Sequence, residues 1–203
     1  MICMAVMSKV TEAKAREIRE ELPEISLLQS TETQDKIIAL WSSFLRESSY
    51  ARIGDAPAFP GLPGYDLARH TRHVIKNCLA MADTMKEFWD IDCDREALLA
   101  AALVHDASKL VEYTGTEGKK TEIGKALLHA QLAGVRCLDF GLSPKVANIV
   151  SYHPYTPPHV HVRPQYIEFV MLTWADLAAV DPIFMLAGKA THLEFAKRFF
   201  EIE

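Results

Sequence analysis

The sequence predicts an all-α protein, and three observations support this fold class. Apolar residues recur along most of the chain at the three- and four-residue spacing of one helix face. Helix-capping residues precede several of these runs, among them Asp66, Asp94 and Ser143, the last followed by Pro144. No segment shows the strict apolar/polar alternation of a half-buried strand. We therefore expect a helical bundle preceded by a helical arm.

The arm is predicted to contain two helices. A charged helix runs from Thr11 to Leu22 and stops before Pro23. A second helix runs from about Thr33 to Tyr50. Its apolar residues recur at i, i+3, i+4, i+7 and i+8, which predicts one buried face formed by Ile37, Leu40, Trp41, Phe44 and Leu45.

A proline- and glycine-rich stretch follows the arm. Residues 53–64 contain three prolines and three glycines, a composition that favours an irregular connector. We therefore divide the chain into residues 1–60, the helical arm and linker, and residues 61–203, the helical core.

The first helices of the core lead to a histidine–aspartate pair. A helix capped by Asp66 is predicted to run to about Trp89, and the next helix, capped by Asp94, ends at His105-Asp106. A glycine-containing loop over residues 113–121 then precedes a helix from Glu122 to Phe140, which contains His129. The stripe predicted to be buried on the first of these helices consists of Leu67, His70, Val74, Cys78, Met81, Met85 and Phe88.

The remaining core helices carry two further candidates. A short helix opened by Ser143 leads to His153, and a histidine- and proline-rich loop follows over residues 154–164. The next helix, from about Gln165 to Val180, is apolar almost all round but contains Asp176. We expect Asp181-Pro182 to end this helix and to begin a last helix towards Phe200.

Composition excludes some classes of protein. The 203 residues are 49% apolar and 24% charged, enough for a sizeable core, and the net charge is −5 with a pI of about 5.9. This acidic balance argues against binding to a nucleic-acid polymer. The four cysteines form no CxxC pair, the N-terminus lacks a basic signal region, and Glu168, Asp176 and Asp181 interrupt the most apolar stretch. We expect a cytoplasmic protein that does not enter the membrane.

Six side chains form the candidate metal site. Helix bundles build such sites from inward-pointing imidazoles and carboxylates on facing helices. Four imidazoles and two carboxylates suit Fe, Mn, Co, Ni or Zn and contain too much nitrogen for a dedicated Mg²⁺ or Ca²⁺ cage. Six ligands also exceed what one catalytic ion takes while keeping positions open, so we predict two ions with Asp106 as the bridge. The predicted ligands are His70, His105, Asp106, His129, His153 and Asp176.

Each predicted ligand has a structural alternative. A buried ion pair or a polar network in the core would also explain His105, Asp106 and Asp176. His73, three residues after His70, competes with it as the ligand, and periodicity does not direct His129 inward.

The ordered set H…HD…H…H…D resembles the HD-domain superfamily of metal-dependent phosphohydrolases, and more narrowly its six-ligand branch, which holds a dinuclear centre. The resemblance covers about residues 64–185. The segment from His105 to Lys109 resembles the family's HDxxK motif, with Ser108 where the usual form has glycine. The segment from His70 to Val74 resembles the motif of the family's first histidine.

The resemblance implies a role for each matching residue. One ion would be held by His70, His105, Asp106 and Asp176, and the other by Asp106, His129 and His153. Asp106 and Lys109 would be the catalytic residues, with Lys109 facing the phosphate of the substrate. Apart from the resemblance, Arg72 and Arg163 are candidates to bind the substrate beside Lys109 by neutralising charge on the phosphoryl oxygens, and His159 is a candidate because its loop follows His153.

The implied activity is hydrolysis of a small phosphorylated molecule, a nucleotide or dinucleotide polyphosphate. Two ions about 3.5–4 Å apart would lower the pKa of a water, and the resulting hydroxide would attack phosphorus. The same ligand set occurs in mixed-valent di-iron oxygenases of the inositol-oxygenase and phosphonate-cleaving type, which are the alternative. A non-catalytic regulatory module is a third hypothesis, but such modules usually lack at least one ligand and none of the six is missing here. Fe or Mn is the expected metal, and a homodimer through the arm stays open.

Overall fold

Helices form almost all of the regular structure, which confirms the all-α prediction. A computed structural model describes residues 10–62, 64–154, 165–192 and 194. Two 3₁₀ segments, Pro23–Leu27 and Ile53–Asp55, lie between the first α-helices, and one hairpin pairs β1 (Tyr113–Thr114) with β2 (Lys119–Lys120). The α-helices are α1 (Glu12–Glu21), α2 (Thr31–Glu47), α3 (Leu67–Trp89), α4 (Arg95–Val104), α5 (Lys109–Glu112), α6 (Glu122–Ala126), α7 (His129–Asp139), α8 (Pro144–Tyr152) and α9 (Ile167–Leu186).

The predicted caps begin their helices. Asp66 accepts a hydrogen bond from the backbone N–H of Arg69, and Asp94 accepts one from Ala97. Ser143 accepts one from Val146 at the start of α8. Each bond satisfies a first-turn N–H that has no partner within the helix, so these side chains determine where α3, α4 and α8 begin.

Helix α4 lies at the centre of the bundle. Every residue from Ala97 to Val104 is buried, because α2, α3, α8 and α9 all pack against this helix. Helix α9 packs along α3, and Asn77 of α3 donates a hydrogen bond to the carbonyl oxygen of Ala175. The C-terminal end of α4, where His105 and Asp106 lie, is therefore enclosed by helices that carry or lead to the other predicted ligands.

The arm packs into the same hydrophobic core as the helices that follow it. Ile18 of α1 and Phe44 of α2 are fully buried in this core. The indole Nε1 of Trp41 donates a hydrogen bond of 3.0 Å to the carbonyl oxygen of Leu103, near the end of α4. The five predicted apolar positions of α2 are all buried. The division of the chain at residue 60 stays a prediction.

The predicted helix from Glu122 to Phe140 is wrong, because two helices occupy this stretch. Leu127 and Leu128 adopt extended backbone angles between α6 and α7. His129 consequently begins α7, and the Ser108 hydroxyl donates to its carbonyl oxygen at 2.6 Å. The glycine-containing loop before α6 forms the β1–β2 hairpin, which the sequence analysis did not predict.

Three further predictions about helices are wrong. Helix α9 continues through Pro182 instead of ending at Val180. Pro182 cannot donate to the carbonyl oxygen of Ala178, but Ala178 is exposed, so water can hydrate that oxygen. Phe88 is 70% exposed although its spacing predicts burial, because the last turn of α3 extends past the core. The last helix does not begin at Asp181-Pro182 as predicted, because both residues belong to α9, which ends at Leu186 and is followed by Gly188 with a φ of 67°. Residues 193 and 195–200 of the predicted helix lie outside the described residues.

By length and composition alone, α9 could span a membrane. In the structure it behaves as a bundle helix. Its Glu168 is 3% exposed and accepts hydrogen bonds from the backbone N–H of Asp94 and from Lys145. Asp176 of the same helix faces the predicted ligand cluster.

Candidate metal centre

All six predicted ligands meet in one cluster at the C-terminal end of α4. His70 projects from α3, and His105 and Asp106 follow the last residue of α4. His129 begins α7, His153 follows α8, and Asp176 projects from the middle of α9. The side chains of His70, His105, Asp106 and His153 are at most 1% exposed, while those of His129 and Asp176 are 21% and 16% exposed. The cluster is buried, with its more open side at His129 and Asp176.

The two carboxylate oxygens of Asp106 face different pairs of imidazoles. Its Oδ2 lies 3.0 Å from Nε2 of His70 and 3.4 Å from Nε2 of His105. Its Oδ1 lies 3.3 Å from Nε2 of His129 and 3.8 Å from Nε2 of His153. Asp106 therefore stands between two groups of nitrogen donors.

Asp176 faces the same cluster of imidazoles from helix α9. Its Oδ1 lies 3.2 Å from Nε2 of His70, and its Oδ2 lies 4.0 Å from Nε2 of His153. Three overlapping groups have ligand atoms within 4.8 Å of one another: His70, His105 and Asp106; His105, His153 and Asp176; and Asp106, His129 and His153.

The imidazoles share one orientation. Nδ1 of His105 donates to the carbonyl oxygen of Ala102 at 2.8 Å, and Nδ1 of His153 donates to that of Val150 at 2.7 Å. Because a carbonyl can only accept, each ring carries its proton on Nδ1 when neutral, and the lone pair on Nε2 points into the cluster. Nδ1 of His70 lies 3.0 Å from the Tyr65 hydroxyl. Metal-binding histidines typically have such an acceptor behind the ring.

Glu112 stands behind His129 and was missed by the sequence analysis. Its Oε2 lies 3.5 Å from Nδ1 of His129, and its Oε1 lies 3.3 Å from Nζ of Lys120 on β2. The spacing from Lys109 to Glu112, one helical turn at the end of the HD segment, would have placed both residues on one face. Glu112 gives His129 an anionic partner on its outer side.

Burial and mutual attraction set the charges of the cluster. Burial alone would raise the pKa of Asp106, but Lys109 and His105 bring it well below its ordinary value. Burial would likewise raise the pKa of Asp176, but its close contact with the His70 imidazole lowers it. Burial and the neighbouring His105 lower the pKa of His153 to about 3. The cluster thus presents ionised carboxylates and a neutral His153, the forms that bind metal ions.

Several ligand atoms lack a hydrogen bond among the described residues. Three of these atoms are buried and have no hydrogen-bond partner in the described part of the chain, namely Asp106 Oδ1, Asp176 Oδ1 and His153 Nε2. Leaving one such atom without a partner costs about 1–3 kcal/mol. Divalent transition-metal ions would satisfy all three atoms, and the mixture of imidazole and carboxylate donors suits such ions. The residues therefore fit a metal centre.

Lys109 lies against the cluster. Its Nζ is 2.7 Å from Oδ2 of Asp106 and 3.8 Å from the ring centroid of Phe59. Phe59 belongs to the connector before α3 and also meets the His70 ring edge-on, with centroids 5.4 Å apart. The connector, predicted only as a boundary, thus supplies part of the wall of the site.

The other substrate-binding candidates lie elsewhere. Arg72 points towards the arm, where its Nε is 3.0 Å from Oε1 of Glu24, because it is two residues and about 200° round the helix from His70. His73 is exposed and lines the same outer groove as Arg72. His159 and Arg163 lie outside the described residues. The roles predicted for these residues stay predictions.

The helical bundle, with four imidazoles and two carboxylates clustered inside it, places the chain in the class of helical proteins that bind metal ions. Within that class, the chain belongs to the HD domain family, whose profile matches residues 67–179.

The chain is similar to the dihydroneopterin 2',3'-cyclic phosphate phosphodiesterase of Methanocaldococcus jannaschii, with 31% identity over 114 residues. These residues make up 55% of this chain and 45% of that protein, so the chain matches less than half of the relative's length. No solved structure matches the chain.

Proposed function

We propose that the protein is a metal-dependent phosphohydrolase that cleaves a phosphate ester or phosphoanhydride of a small molecule with two divalent transition-metal ions. The observation that carries this proposal is the position of Asp106, whose oxygens each lie within 3.8 Å of two imidazole nitrogens. A single carboxylate between two groups of donors is suited to bridge two ions. The phosphodiesterase relative supports the reaction class.

The substrate we propose is a nucleotide or dinucleotide polyphosphate or a related cyclic phosphate. The first comes from the resemblance to the six-ligand branch, and the second from the activity in the relative's name. All of these substrates carry an anionic phosphoryl group on a molecule that also contains a heteroaromatic ring. A panel of such compounds decides between them.

The chain's own residues would prepare the site for such a group. When bound, two ions would polarise phosphoryl oxygens and lower the pKa of a water. Lys109, 5% exposed in its side chain, holds a positive charge at the cluster for the phosphoryl oxygens. The Nδ1 bonds of His105 and His153 keep their Nε2 atoms directed inward.

The test combines metal analysis with anaerobic turnover. The purified protein, loaded with Mn²⁺ or Fe²⁺, is assayed without oxygen on phosphodiesters, cyclic phosphates, monoesters and nucleotide polyphosphates. We expect two ions per chain and phosphate-bond cleavage, with both lost in Asp106→Asn.

Asp181→Asn is the matched control. Asp181 is also a buried aspartate with a histidine partner, His192 Nδ1 at 2.7 Å, but it lies outside the cluster. This variant should keep its ions and its turnover. Iron-dependent consumption of oxygen without phosphate-bond cleavage would instead establish the oxygenase, and turnover by a metal-free protein would overturn the proposal.

A further inference from the structure

Tyr65 lies immediately before α3 and reaches two elements of the metal centre. It is 7% exposed, and its hydroxyl is buried between His70 of α3 and Ala179 of α9. The oxygen is 3.0 Å from Nδ1 of His70 and 2.9 Å from the carbonyl oxygen of Ala179.

The directions of these two hydrogen bonds follow from the chemistry of the groups. The carbonyl of Ala179 can only accept, so it receives the single proton of the Tyr65 hydroxyl. The hydroxyl oxygen then accepts from Nδ1–H of His70. With Nδ1 protonated, the neutral ring keeps the lone pair of Nε2 available for a metal ion, on the side where the carboxylates of Asp106 and Asp176 lie 3.0 and 3.2 Å away.

His70 needs an acceptor from outside its own helix. His105 and His153 follow the ends of α4 and α8, so each can donate to a last-turn carbonyl that has no partner within the helix. His70 is the fourth residue of the 23-residue helix α3, where the carbonyls accept from the next turn. Tyr65 supplies the acceptor that the helix does not offer.

We propose that Tyr65 is a positioning residue of the metal centre, which fixes the ring and tautomer of His70 and ties that ligand to α9, the helix of Asp176. Ala179 lies three residues after Asp176, so one hydroxyl links the helices that supply two ligands on the same side of Asp106. This inference rests on the metal centre of the proposed function and assigns a role to a residue outside the six ligands.

The test measures metal affinity in Tyr65→Phe, with Mn²⁺ alone as the probe in competition with a chelator. Removing a partner behind a ligating histidine typically costs about 10–100-fold in metal affinity. We expect that loss, together with disappearance of one solvent-shielded imidazole N–H resonance in the cobalt-loaded protein, which a purely structural role would not produce.

Tyr50→Phe is the matched control. Tyr50 is similarly buried, and its hydroxyl donates to the carbonyl oxygen of Gly115 at 2.9 Å without contact to a ligand. Both variants lose one tyrosine bond to a backbone carbonyl, and Tyr65→Phe also loses the bond with Nδ1 of His70, so its urea unfolding should change at least as much as that of Tyr50→Phe. Only Tyr65→Phe should lose metal affinity.

Equal affinity in Tyr65→Phe and the wild type would overturn the inference, as would an equal loss in both tyrosine variants. Failure of the proposed function gives a different result. A wild type that binds ions but cleaves no phosphate bond would refute the hydrolase and leave the affinity difference between the two variants intact.

Discussion

Replacing Lys109 by methionine should weaken the metal-free protein and, at the same time, tighten its hold on metal ions. The ammonium group lies 2.7 Å from Oδ2 of Asp106, both side chains are at most 5% exposed, and the aromatic face of Phe59 covers the cation. Methionine keeps an unbranched apolar side chain but removes the charge. Asp106 then loses its nearest cation.

The size of the effect follows from the burial of the pair. Removing one partner of a buried ion pair costs about 3–5 kcal/mol. Burial would lower the pKa of His70, but Asp106 and Asp176 raise it, so His70 can still partner Asp106 in the metal-free protein. We therefore expect the lower end, about 3 kcal/mol, or roughly 6–12 °C in Tm for a chain of this size. Bound ions would supply the missing positive charge, so the loaded protein should lose much less. By linkage, a difference of about 3 kcal/mol means roughly hundredfold tighter binding.

Thermal unfolding with and without Mn²⁺, and chelator competition, measure both effects. Lys145→Met is the control, because Lys145 also binds a buried carboxylate, Glu168 at 3.0 Å, away from the cluster. Its loss should lower Tm equally with and without ions and leave affinity unchanged. If Lys109→Met binds ions no more tightly than the wild type, Lys109 does not compete for Asp106 and the reasoning is refuted.

Three further predictions concern the cluster and its support. Asp106→Ala should empty both ion sites while His153→Ala empties one, and equal losses in elemental analysis would count against a bridging Asp106. Phe59→Leu should lower kcat/KM, because it removes the aromatic face in contact with the Lys109 cation, and such a cation–π contact typically contributes about 0.5–2 kcal/mol. In a Lys109→Met background the same substitution should have no further effect. Gly134→Ala should destabilise the protein by about 1–3 kcal/mol in urea, because the added methyl group would overlap the Ser151 side chain where α7 meets α8, and an unchanged midpoint would contradict this packing.

Much of the cluster could be predicted because helical periodicity and sequence order carry it. His70 lies on the apolar stripe of α3, and His105 and Asp106 end a run of buried residues, so both positions are visible in the sequence. The position of Asp176 inside an apolar helix also indicates a buried partner. Local patterns are sufficient where a ligand belongs to the core face of a regular helix.

The rest depended on breaks and contacts that local patterns do not contain. Neither glycine nor proline marks the break at Leu127 and Leu128, which directs His129 into the cluster. Pro182 is tolerated because its missing bond falls on an exposed side of α9, and exposure is decided by tertiary packing. The contact of Phe59 with Lys109 joins residues 50 positions apart through an irregular connector, for which no periodicity exists.

The hydrogen bond from Trp41 to Leu103 has a consequence for the smallest unit that can be moved to another protein. The family match begins at residue 67 and includes all six predicted ligands, but Trp41, Phe59 and Tyr65 all precede it. A transplanted segment 67–179 would carry the ligands, yet the carbonyl oxygen of Leu103, two residues before His105, would lose its buried donor. Helix α4, which leads to His105 and Asp106, would also lose its packing against α2. The portable unit of this metal centre therefore reaches back to α2.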